Sequence, residues 1–163
     1  MAIAATTVWE VRTTGNAGNG GGFNEDRGGT DYSQQDTAEL SLTDLACESN
    51  TTLTSATGGF TSAMVGNIIY IASGTNAAAG YYEITAYTDT NTVTIDRTCA
   101  DDGDMTAGVG KVGGALVHPH SAAADFVAGN KFWIKVGTYT PLGAYAFVIS
   151  LTRSGGHSTF VVR

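Results

Sequence analysis

"GNIIYIASGT" occupies residues 66–75 and "GNKFWIKVGT" occupies residues 129–138. Each opens on Gly-Asn, carries Ile at its sixth position and closes on Gly-Thr. In both copies a short helical turn ends at the glycine, whose backbone tolerates positive φ, and a strand leaves at once. For the first copy Thr61 caps the turn, Met64 and Val65 face the core, and "IIYIAS" (68–73) is the strand. For the second, "HPHSAAADFVAGN" (118–130) supplies a short helix capped by Ser121 or His120, with Ala123, Phe126 and Val127 on its apolar face. "KFWIKVGTYT" (131–140) then alternates Phe132, Ile134 and Val136 against Trp133 and Lys135. The frame reads as a reused connection, helix cap into strand, rather than a ligand motif. Its alternative is chance repetition in a chain rich in Gly and Thr.

Strand signals spread outward from this frame. "TTVWEVRTTG" (6–15) alternates, with Val8, Glu10 and Arg12 on one face and Trp9 and Val11 on the other. "TAELSLTDLACES" (37–49) and "TTLTSATGGF" (51–60) hold further strands. "YYEITAYT" (81–88) and "VTIDR" (93–97) form a hairpin across the turn "DTNT" (89–92). "GNAGNGGGFNEDRGGTDYSQQD" (15–36) has seven Gly and three Asn between Gly15 and Gly29. It reads as a long irregular loop, or an arm that orders only against a partner. "ADDGDMTAGVGKVGG" (100–114) reads as a Gly-rich connection. From Gly129 onward strands recur at short spacing, which resembles the first rungs of a β-solenoid. The fold expected is mainly β: a compact antiparallel sandwich or barrel-like body with one short helix, a long Gly-rich N-terminal loop and solenoid-like C-terminal strands. Its parts are 1–36 (strand and arm), 37–114 (β domain) and 115–163 (helix and closing strands).

Composition narrows the function classes. The chain has 163 residues, 14% charged, with a formal net charge of −7. An acidic chain with few cations lacks the electrostatic footprint for nucleic acid or an anionic membrane. No apolar run reaches the length of a membrane-crossing helix. "MAIAATTVWEV" lacks the features of a secretory signal, so synthesis in a cytoplasm is expected.

Candidate chemistry is sparse. His118 and His120 in "HPH" need a third metal ligand, and His157 is the only other histidine. Asp101, Asp102 and Asp104 in "DDGD" suit a hard cation, yet the EF-hand pattern is not met. "GNGGGF" (18–23) lacks the Lys-Ser/Thr of a phosphate loop. Glu83, Asp96 and Asp44 are carboxylates from which a glycosidase-type dyad could be drawn. None of these patterns is specific, so no metal, cofactor or catalytic residue is expected. Cys47 and Cys99 are either two buried, reduced thiols or a single disulfide formed after release, which would close a loop of roughly 50 residues.

Taken together, "VWEVRTTG" (8–15), "GGGF" (20–23), "GTDYSQQD" (29–36), "MVGNIIYI" (64–71), "YYEIT" (81–85), "TVTIDR" (92–97) and "GNKFWIKVGTYT" (129–140) resemble the start of a group of tailed-bacteriophage virion proteins. In that group this pattern often precedes a longer right-handed β-helix. Here the sequence ends where that β-helix would begin. The resemblance therefore implies a short accessory virion protein, a capsid decoration protein or head fibre, with a tail fibre or spike component as the alternative. It implies other virion proteins as partners, the major capsid protein or head and tail proteins, and a homo-oligomer, a trimer by analogy. Gly20, Gly21, Gly22 and Phe23 of the arm, with Tyr32, Trp9 and Trp133, are the residues expected at such an interface.

Overall fold

The computed structural model describes residues 3–122 and 124–139, together with the backbone of a strand at Ser158–Val161. The segment "YAFVISLTR" (145–153), which also reads as a strand, lies outside the described residues, as does His157. The described residues include ten strands: β1 (Val8–Val11), β2 (Gly22–Phe23), β3 (Leu40–Cys47), β4 (Thr52–Ser55), β5 (Ile68–Thr75), β6 (Gly80–Asp89), β7 (Thr92–Ile95), β8 (Met105–Val112), β9 (Lys131–Ile134) and β10 (Ser158–Val161). Six of them close into a barrel in the order β3-β4-β7-β6-β5-β8, with every neighbouring pair antiparallel. The other four form a sheet in the order β10-β9-β1-β2.

Alternation along the strands fills the barrel. Leu42, Leu45, Cys47, Leu53, Ile69, Ile71, Ile84, Val93, Ile95, Met105 and Val112 are buried in one apolar cluster. A narrow barrel leaves little room inside, and interior positions must mix large and small residues. Strand β8 supplies the small ones. A Cβ on Gly110 would sit 2.7 Å from Leu45 Cδ1, and one on Gly108 would sit 2.9 Å from Leu45 Cβ. The register between β3 and β8 shifts on both sides of Leu45, and such bulges bend a strand enough to help closure. The expected connection at 100–114 is therefore corrected: Met105–Val112 within it is a barrel strand, disguised by glycines that the packing demands.

Two further expectations are corrected. The helix expected within 118–130 is only a single 3-10 turn at Pro119–Ala122. Beyond it the chain makes tight i to i−3 turns, Asp125 N–H donating to the Ala122 carbonyl and Asn130 N–H to that of Val127. Strand β10 runs antiparallel to β9, whereas stacked solenoid rungs run parallel. The parallel partner of β9 is instead β1, from the far end of the sequence.

The repeated frame has one structural meaning in both places. Gly66 and Gly129 have φ of +90° and +100°. Asn67 and Asn130, next in line, are wholly buried. Each backbone N–H donates to the carbonyl three residues earlier, and each side chain then captures the N-terminal chain. Asn67 Nδ2 donates to the Thr30 carbonyl at 2.7 Å, and its Oδ1 accepts from Tyr32 N–H at 2.9 Å. Asn130 Nδ2 donates to the Ala4 carbonyl at 2.8 Å, and its Oδ1 accepts from Trp9 Nε1 and Val127 N–H, both at 3.1 Å. The 3-10 turn before the first copy (Ser62–Met64) has Thr61 at its N-cap position without a side-chain capping bond.

Buried amides that lose their partners are costly, because the stranded groups stay away from water. Asn67→Ala and Asn130→Ala should each lower unfolding free energy by about 2–4 kcal/mol in urea titrations. A loss below about 1 kcal/mol in either variant would show that the corner is not a fastening point.

Candidate functional site

The middle of the Gly-rich arm, residues 19–24, lies inside the molecule. Gly20, Gly21, Gly22 and Phe23 are buried between β1 and the barrel. Gly20 and Gly21 N–H groups donate to the Gly113 and Gly114 carbonyls at 2.9 Å each, and Asn24 N–H donates to the Gly66 carbonyl. A Cβ on Gly20 would collide with the Ile68 carbonyl, so the backbone approaches as only glycine permits. Trp9 is fully buried, edge-on to Tyr81 and Phe126 with ring centroids 5.5 and 5.2 Å away. The expectation of Gly20–Phe23 and Trp9 as interface anchors is thereby corrected: their surfaces are spent within the chain. Tyr32 is half-buried and packs on the barrel core, and Trp133 is half-buried on β9.

Of the three candidate catalytic carboxylates, the fold unites Glu83 and Asp96 and leaves Asp44 elsewhere. Glu83 points outward from β6 into the arm, where its Oε1 accepts from Asn24 Nδ2 at 2.9 Å and Arg27 Nε at 2.7 Å. Its side chain is 1% exposed. Asp96 accepts from Glu83 N–H at 2.9 Å and pairs with Arg97 at 2.7 Å. Arg97 continues to Asp125 at 3.1 Å and lies over the Tyr82 ring, 4.3 Å from its centroid. Burial raises the pKa values of Asp96 and Asp125 against the pull of Arg97. Here the carboxylates fasten the arm and the 119–130 segment to β6. Asn24, Arg27, Arg97 and Asp125 carry this network, and none stood out in the sequence, because lone polar residues in turns have no period.

The histidine pair is not set as a metal grip. His118 is buried, and its Nδ1 accepts from His120 N–H at 3.1 Å while His120 is exposed. Among the described residues no three His, Cys, Asp or Glu side chains converge as metal ligands. Asp101, Asp102 and Asp104 are exposed, and Asp104 accepts from Ser49 N–H at 3.3 Å. The glycines of 18–23 are followed by a 3-10 turn, Glu25–Arg27.

The outer wall of the barrel is the candidate interaction face. Thr52 sits opposite Thr94, and Thr54 opposite Thr92, across β4 and β7. Beside these rows a groove of about 360 Å³ is lined by Ala46, Glu48, Asn50, Thr52, Thr54, Asp104, Met105 and Thr106. It offers hydroxyls, an amide and two carboxylates, without an aromatic ring in its lining. Such a face suits hydrogen bonding to another polar surface. No helix among the described residues is long and apolar enough to cross a membrane. No known protein family, curated protein or solved structure matches the chain.

Asp44 borders this wall, and its carboxylate accepts from Ser55 Oγ at 2.6 Å and Thr57 N–H at 2.7 Å. Those bonds, the Ser55 one foremost, hold its pKa below the ordinary 3.8. A depressed folded-state pKa contributes stability that is complete above the unfolded value and disappears as pH falls through the folded one. Asp44→Asn should therefore be less stable than the parent at pH 7, with the gap closing as pH drops below 3.8. Paired urea titrations at both ends check this, and a gap independent of pH would contradict it.

Proposed function

We propose that this chain is a non-enzymatic structural subunit of a tailed-phage particle, of the capsid-decoration or head-fibre type. It docks on the major capsid protein or another head or tail protein through many copies, acting as a homo-oligomer and most simply a trimer. Repetition supplies avidity, so no single contact has to be strong. The observation that carries the reading is where the resembling segments fall. "VWEVRTTG", "GGGF", "GTDYSQQD", "MVGNIIYI" and "GNKFWIKVGTYT" meet along one internal seam, at Asn67, Asn130 and the Trp9 cluster. That placement supports reading the pattern as a way of building a rigid module. The threonine rows leave a polar face for a neighbour.

A second reading is a tail-fibre or spike component that binds a host surface glycan. The groove favours it, since hydroxyls and carboxylates bond sugars, and Tyr87 is a partly exposed ring at 37%.

Particles of the encoding phage, separated into heads and tails and quantified by mass spectrometry, decide between these. Many copies with heads support decoration. A few copies confined to tails favour the glycan-binding alternative, and absence from both overturns the virion reading.

A further inference from the structure

Cys47 ends β3, and Cys99 lies in the connection between β7 and β8. The barrel order brings these points to one end of the same core. Both residues are free thiols, 1% and 0% exposed. The Cys47 Sγ lies 3.9 Å from Thr98 Oγ1, the residue adjoining Cys99 in the chain. Cys99 is buried in the same apolar cluster as Cys47, so the two thiols are neighbours in the core. A disulfide requires the two sulfurs to close to about 2 Å.

The surroundings make the two thiols unequal. Hydrogen bonding with Cys99, the largest cause, and with Thr98 lowers the pKa of Cys47. The same contact and burial raise that of Cys99. Cys47 is therefore the more readily ionised of the two thiols, and the thiolate is the nucleophile. Access is short as well. Cys47 Sγ donates to the Glu48 and Asn50 carbonyls at 3.2 and 3.3 Å. Both residues also line the polar groove on the outer wall. A small polar oxidant entering that groove is separated from the sulfur by this one loop.

We propose that Cys47 and Cys99 form an oxidisable pair that closes to an intramolecular disulfide on meeting a peroxide. The Cys47 thiolate attacks one peroxide oxygen, and the O–O bond breaks. The departing hydroxide takes a proton and leaves as water. Cys99 then attacks the resulting sulfenic sulfur, the S–O bond breaks, and a second water leaves. Two thiols lose two electrons and one peroxide is reduced to two waters. The product ties the end of β3 to the β7–β8 connection. The proposal does not depend on the virion reading.

The full chain is reduced, desalted and exposed while folded to hydrogen peroxide, then followed by intact mass and thiol titration in denaturant. The expected result is a loss of about 2 Da, disappearance of both thiols, and a Cys47–Cys99 peptide in a non-reducing digest. The oxidised form should melt several degrees above the reduced one. Cys99→Ser should trap Cys47 as sulfenic acid, while Cys47→Ser should react at least about tenfold more slowly. Two thiols persisting in the treated parent, a disulfide only between chains, or oxygen addition at Cys47 in place of the disulfide would overturn the proposal. These parent measurements stand even where a variant fails to fold.

Discussion

A carboxamide buried without water must find every hydrogen bond inside the protein, and that requirement organises this chain. Asn67 and Asn130 meet it by seizing segments distant in sequence. One holds Thr30 and Tyr32 at the end of the Gly-rich arm, and the other holds Ala4 and the Trp9 indole. Because each follows a glycine with positive φ and precedes a strand, the capture point is locked to the barrel on one side and to the mixed sheet on the other. The two sheets are then joined by the apolar cluster of Trp9, Ile68, Tyr81, Leu116 and Phe132.

Backbone proximity does the rest. The arm passes so close to Ile68 that side chains are excluded, and its peptide groups bond Gly113 and Gly114 directly. The Arg27–Glu83 pair secures its far end. An ion pair that buries its carboxylate in this way adds little net stability relative to an apolar pair, since desolvation of Glu83 offsets the attraction. Its value is in register: only one placement of the arm brings Asn24 and Arg27 onto the same Glu83 oxygen.

The strands with clear alternation or β-branched runs were legible in the sequence. "IIYIAS", "YYEITAYT" and "VTIDR" fall on β5, β6 and β7, although β7 begins at Thr92 and ends at Ile95. Glycine misled at β8, which read as a connection because glycine normally marks flexibility. The arm is largely irregular, as read, but it orders against its own chain, and in both places the missing Cβ is what lets backbone meet Ile68 or Leu45. The "SAAADF" stretch has good helical propensity, but Phe126 is needed against Trp9 and Phe132, and tight turns place it there. The repeated Gly-Asn frame was legible as a corner. Which segments its asparagines hold was not, because those contacts span up to 126 positions. The proximity of Cys47 to Cys99, likewise, was one open alternative until the barrel order fixed it.

The central claim is that the Gly-rich arm belongs to the fold of this single chain rather than awaiting a partner. Amide hydrogen exchange on the isolated protein tests it most directly. The account predicts that the amides of Gly20, Gly21, Asn24 and Thr30, which donate to Gly113, Gly114, Gly66 and Ala63, exchange as slowly as those of β5. Exchange at the rate of an unstructured peptide, with the barrel still protected, would contradict it.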